Sequence, residues 1–170
     1  MIIKPSSPDG YTLFCDDIRH EVTGKTTLVG IYNSQLIITG NLPVILPKLC
    51  ASITLRLNPP LHPLKPVIKV FRTDQDEPIF VCEVDIPAVD PEKIPQVNQH
   101  LEPDAVTFIQ FSVNAQFESF QIEKPCALKV RVFIGNDELR LGALQIIHTS
   151  PDSIETVGAD IHALASGEQA

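Results

Sequence analysis

The sequence predicts an all-β domain, an antiparallel Greek-key β-sandwich of about eight to ten strands. Three observations carry that expectation. Short apolar runs with two-residue alternation recur along the chain, helix-period patterns are nearly absent before residue 149, and turn-forming residues separate the runs. The 15 prolines fall mostly between those runs, where a missing backbone donor does no harm to a ladder.

In chain order, Tyr11–Glu21 and Lys25–Tyr32 flank V-T-G, which fits a three-residue hairpin closed by a left-handed Gly24. That register pairs Glu21 with Lys25, sets Ile18 opposite Leu28 and brings Gly30 opposite Asp16. Leu36–Thr39 reads as a further short strand. Lys48–Leu57 places Ile53, Leu55 and Leu57 on one face. N-P-P-L-H-P-L-K-P then interrupts regular structure. Val67–Arg72 and Ile79–Asp85 form a second hairpin around T-D-Q-D-E-P.

A loop of about twenty residues follows Asp85, with Asp90 placed to cap a short helical turn at Pro91. Its length suits a crossing between two sheets, hence a sandwich in preference to a closed barrel. Val106–Phe117 alternates, with Phe108 and Gln110 on one side and Ile109, Phe111 and Val113 on the other. Leu128–Ile134 and Leu139–Ile147 surround the turn G-N-D.

The chain divides into a β-sandwich domain at 1–148 and an acidic tail at 149–170. In the tail Ile154, Val157, Ile161 and Leu164 fall at helical spacing, and Asp152 with Glu155 matches a capping box. A short amphipathic helix with that stripe as a partner contact is one expectation. Gly158 and the ending A-S-G-E-Q-A favour the other, a disordered tail.

Composition narrows the functional classes. The net charge is −8, and half of it lies in the tail, which has no lysine or arginine. The 13 basic residues are scattered, so neither nucleic acid nor an anionic membrane is an expected partner. No apolar run approaches the roughly 20 residues a membrane helix needs, and the N-terminal M-I-I-K-P-S-S-P-D-G has no signal-peptide pattern. A cytoplasmic location and four buried, reduced thiols (Cys15, Cys50, Cys82, Cys126) are the matching expectations. No C-x-x-C pair is present.

The densest chemistry lies in C-D-D-I-R-H-E, residues 15–21. On a helix, Asp16 and His20 would share a face, and a hydrolase or metal site could form there with distant partners. On a strand, Asp16 and Asp17 diverge, and Asp16 to His20 spans about 13 Å at roughly 3.3 Å per residue. A single metal ion is then out of reach of both. The strand reading leaves a structural ion pair between Asp17 and Arg19, two residues apart on one face, and no catalytic, cofactor or metal residue is assigned. T-G-K-T-T is not a phosphate loop, because Arg19 stands where its first glycine belongs and a strand-like L-V-G-I-Y follows. Asp74, Asp76, Glu77 and Asp85 would serve calcium only if they converged; a solvated turn explains them as well. No G-x-S-x-G elbow occurs, and the histidines are dispersed.

L-F-C-D-D-I-R-H-E-V-T-G-K-T-T-L-V-G-I-Y, followed by L-P-K-L-C, resembles a bacterial family of small β proteins catalogued as a domain of unknown function. F-E-S-F-Q-I-E-K-P and E-L-R-L-G-A-L-Q-I are similar to its C-terminal half, so the resemblance covers about residues 10–148. It implies a cytosolic bacterial β-domain and brings no catalytic residue or ligand with it. The functional expectation is a non-catalytic binding or scaffold module that acts through an unidentified protein partner or self-association. Its contact surface would be an exposed sheet edge, the 86–105 loop or the tail stripe. The alternative is the hydrolase or metal enzyme built on Asp16, Asp17, His20 and Glu21.

Overall fold

The computed structural model describes residues 8–90 and 108–149. Among them are ten strands: β1 (Asp9–Cys15), β2 (Asp17–His20), β3 (Thr26–Val29), β4 (Gln35–Thr39), β5 (Val44–Leu57), β6 (Val67–Arg72), β7 (Pro78–Glu83), β8 (Ile109–Ile122), β9 (Cys126–Ile134) and β10 (Asp137–Thr149). They form an all-β, sandwich-like fold. One sheet has the order β1-β5-β8, the second β4-β10-β9-β6-β7, and β2-β3 is a separate hairpin. The chain passes between these two sheets at β4–β5, β5–β6, β7–β8 and β8–β9. The expected long crossing thus joins β7 to β8. Its residues 91–107, with the helical turn expected at Pro91, lie outside the described residues, as does the tail stripe Ile154, Val157, Ile161 and Leu164.

Two-residue alternation builds the core. On β5, Leu49, Ala51, Ile53, Leu55 and Leu57 point inward and are buried. They meet Ile68 and Val70 of β6, Leu128, Val130 and Val132 of β9, and Leu144 and Ile146 of β10. Leu36 and Ile38 complete this layer from β4, while Phe14, Ala115, Phe120 and Ile122 complete it from the sheet of β5. Each fully buried leucine or isoleucine contributes roughly 1.5–3 kcal/mol through apolar burial.

The structure corrects the sequence reading in three places. The expected continuous strand Tyr11–Glu21 breaks at a bend on Asp16, so its first half pairs with β5 and only its second half forms the hairpin. Phe14 explains the break, since it reaches the core only from a strand laid beside β5. The sheets are not purely antiparallel, because β4 lies parallel to β10. With 110 residues between Gln35 and Gln145, no tight turn dictates their direction. Finally, β5 begins at Val44, four residues earlier than expected, and carries the exposed Pro47 within it. The pairs Leu46↔Phe120 and Lys48↔Glu118 flank that proline. Opposite it Ser119 adopts a left-handed φ of 51°, a local departure where the ladder loses a donor.

Replacing Leu55, fully buried on β5, by alanine is expected to lower unfolding stability by about 2–5 kcal/mol. Ile37→Ala, at a side chain 54% exposed on β4, should change it by less than about 0.5 kcal/mol. Denaturant titration of both variants checks the contrast.

Candidate functional site: a hairpin over two thiols

Alternation on β5 also serves its second face. Cys50 points away from the main core and lies opposite Cys15 of β1 in the ladder. Both are fully buried, together with Ile18 of β2 and the half-buried Leu28 of β3. The β2–β3 hairpin therefore lies over the outer face of the β1–β5 pair and seals a small second core. Its turn follows the sequence reading: Gly24 has φ 78°, its amide donates to the Glu21 carbonyl at 2.9 Å, and the Glu21 amide donates to the Lys25 carbonyl at 2.8 Å. Ile18 pairs with Leu28 as expected.

The charged residues of 16–21 separate, and each finds its own partner. Asp17 accepts from Arg19 Nε at 3.1 Å, the expected ion pair, and from Lys48 Nζ at 2.8 Å. Lys48 belongs to β5, so this bond ties the hairpin to the sheet beneath it. The hydrogen bonds from Lys48 and then Arg19 hold the Asp17 carboxyl below the ordinary aspartate range, and Asp17 in turn raises the Lys48 ammonium. Asp16 accepts a short hydrogen bond from the Tyr32 hydroxyl. Burial first, and Asp16 second, push that hydroxyl well above the usual phenol range. Glu21 accepts from Thr27 Oγ1 at 2.8 Å. His20 is exposed beside Thr26.

Gly30 sits against Asp16 as the sequence register anticipates. A Cβ there would overlap the Asp16 carboxylate, and φ is 66°. The left-handed φ favours glycine, and any side chain there would also have to displace the Asp16 carboxylate. Among the described residues no three His, Cys, Asp or Glu side chains are placed to hold one metal ion. The second acidic group does not converge either. Asp74 pairs with Arg72 at 2.7 Å, while Asp85 pairs with Lys65 at 2.9 Å.

The thiols divide into two kinds. Cys15 and Cys50 are fully buried, whereas Cys82 and Cys126 are half-buried, which corrects the expectation of four buried thiols. Cys82 lies on the edge strand β7, and Cys126 opens β9, so neither is covered on every side. All four are free. Burial raises the Cys15 thiol to about 11, with the neighbouring Cys50 as the next cause, and burial raises Cys50 also.

Sequence reasoning missed a polar cleft of about 220 Å³ lined by Arg72, Asp74, Gln75, Gln121, Glu123 and Lys124. Arg72 is only 7% exposed. Its Nη1 donates to the Gln121 carbonyl at 2.6 Å, and its guanidinium lies 5.1 Å from the Phe120 ring centre. These bonds clamp the end of β6 to β8. The cleft's two cations and two carboxylates balance, so it presents no net charge to a ligand. The R-T-D spacing was the only sequence signal for this clamp.

Fold and site define an all-β sandwich-like protein with a hairpin over one sheet. Among the described residues no helix is long and apolar enough to cross a membrane. No protein-family model and no curated protein matches the chain.

Two outcomes follow from this geometry. A depressed Asp17 carboxyl stabilises the fold above its unfolded pKa of about 3.9, and that contribution disappears as pH falls through the lower folded value. Asp17→Asn should therefore differ from wild type most near neutral pH and converge with it in acid, as read by thermal unfolding across pH. Gly30→Ala and Gly24→Ala both force a side chain into a left-handed φ, worth about 1 kcal/mol. Gly30→Ala should cost more, because nothing lies within 4 Å of a Cβ at Gly24; unfolding titrations compare the two.

Proposed function

We propose that this protein is a non-catalytic binding module, cytoplasmic and of bacterial type, which takes an extended segment of a protein partner against the free edge of β8. One observation carries the reading. β8 is 14 residues long, and among the described residues β5 is its only strand partner. At roughly 3.4 Å per residue this edge runs about 48 Å. On one side of an antiparallel strand, alternate residues present both N–H and C=O, so about half of β8 faces outward with its pairing groups.

Edges in soluble proteins are usually guarded by lysine, proline or brevity. β8, I-Q-F-S-V-N-A-Q-F-E-S-F-Q-I, contains neither lysine nor proline. Strand addition supplies affinity through such main-chain bonds and specificity through pockets for alternate side chains. Half-buried Phe111, Val113 and Phe117 supply apolar surface along this edge. Phe117 also meets Phe80 of β7 edge-to-face at 6.5 Å, so the seam between the two sheets is aromatic. The carboxylates that an enzyme would need are each engaged elsewhere, which favours binding over catalysis. Four free thiols accord with a reducing compartment.

Amide hydrogen exchange on the isolated protein tests the edge. Along β8 alternate amides should exchange rapidly while those bonded to β5 stay protected. Uniformly slow exchange from Ile109 to Ile122 would mean the chain covers its own edge, and the reading would be lost.

A further inference from the structure

Cys15 and Cys50 are direct Cα partners in the antiparallel β1–β5 ladder. Residues opposed in this way lie about 4.5 or 5.5 Å apart at Cα, and either spacing falls within the roughly 4.4–6.8 Å a disulfide needs. Their side chains share the outer face of the sheet and are packed together with Ile18 in one small cluster. Each thiol also touches the strand that covers it. Cys15 Sγ donates to the Asp17 carbonyl at 3.5 Å, and Cys50 Sγ donates to the Asp16 carbonyl at 3.7 Å. The two sulfurs are thus weak fasteners of the hairpin, alongside the Asp17–Lys48 ion pair.

We propose that Cys15 and Cys50 form a reversible disulfide under the β2–β3 hairpin, and that its formation loosens the hairpin from the sheet. A small-molecule disulfide is the oxidant. The thiolate of one cysteine attacks a sulfur of that molecule, breaks its S–S bond and releases one small thiolate. The second cysteine, as thiolate, attacks the protein sulfur of the mixed disulfide. The Cys15–Cys50 bond forms and the second small thiolate leaves. Two protein thiols lose two protons and two electrons, and the small disulfide gains both as two thiols.

Oxidation removes both S–H donors, so the carbonyls of Asp16 and Asp17 lose these contacts. Access works in the opposite sense. With the hairpin closed, both sulfurs are fully buried and held largely as thiols by that burial. Attack on an oxidant therefore waits for the hairpin to open.

The test equilibrates the intact protein in mixtures of oxidised and reduced glutathione, followed by peptide mapping. The expected product is a Cys15–Cys50 linked peptide that disappears on returning to reduced glutathione, with Ile18 and Leu28 amides exchanging at least tenfold faster in the oxidised form. Lys48→Ala, which removes one tether of the hairpin, should form the link about two- to fivefold faster, while Lys48→Arg should keep the wild-type rate. Failure to obtain the link after full equilibration, or adducts confined to Cys82 and Cys126, would overturn the disulfide. A link that forms equally fast in Lys48→Ala and leaves the hairpin amides unchanged would overturn the role of the hairpin. Should Lys48→Ala fail to fold, the wild-type exchange comparison alone decides the latter point.

Discussion

The strict alternation of side chains along β5 is the constraint on which the rest of the molecule depends. Its odd-numbered residues from Leu49 to Leu57 fill the space between the sheets, and its even-numbered Cys50 supports a second, smaller core outside. Among the described residues β5 is also the only strand of its sheet with a neighbour on both sides. A shift of one residue in its register would send leucines to solvent and polar Ser52 and Thr54 into the core. Such a slip would also remove Cys50 from Cys15 and Lys48 from Asp17. Core, thiol pair and hairpin tether therefore stand or fall on one register.

The hairpin's attachment is a sum of small contributions. Ile18 and part of Leu28 are withdrawn from water, and the sulfur contacts are long. The Asp17–Lys48 bond has side chains 28% and 36% exposed, a setting where solvent screens ion pairs and their net worth is small. Compare the clamp at Arg72, whose side chain and that of Asp74 are 8% and 12% exposed. There removal of one partner would strand a buried charge, which is far more costly. The two attachments thus differ in kind, one a buried clamp and the other a set of weak, separable contacts.

How much of this was legible in the sequence depends on the distance over which each feature acts. Local rules recovered the V-T-G hairpin, Ile18 opposite Leu28, Gly30 against Asp16, the Asp17–Arg19 pair and the inward face of β5. Each is set by spacing within a strand or across a short turn. Lys48 was missed because it meets Asp17 across 31 residues, and no periodicity reports such a meeting. The break at Asp16 was missed for a related reason. Both halves of that run have β-forming residues, and only Phe14's place in the core decides which strand the first half joins. The parallel β4–β10 pair and the Arg72 clamp are likewise products of sheet assembly. That Asp16, His20 and Glu21 do not form one centre follows from extended backbone, as the sequence reading held; the bend at Asp16 alters the partner strand without gathering the carboxylates.

The sheet edges differ in ways that folding alone does not explain. β7 carries Pro78 and Glu83, β4 is only five residues long, and β1 lies against β10, with Gly142 at 3.5 Å from Thr12 by way of a hypothetical Cβ. These are the ordinary means of limiting unwanted pairing. β8 is the longest of these edges and has neither lysine nor proline; its outward side chains from Gln110 to Glu118 are polar, and Glu118 is the one charge among them. A long, unguarded edge carries an aggregation risk unless a specific segment occupies it. Selection for stability would favour a lysine at one of these exposed positions, since such a change leaves the core untouched. Among the described residues no strand other than β5 pairs with β8, and its free edge is the one the proposed partner segment would cover.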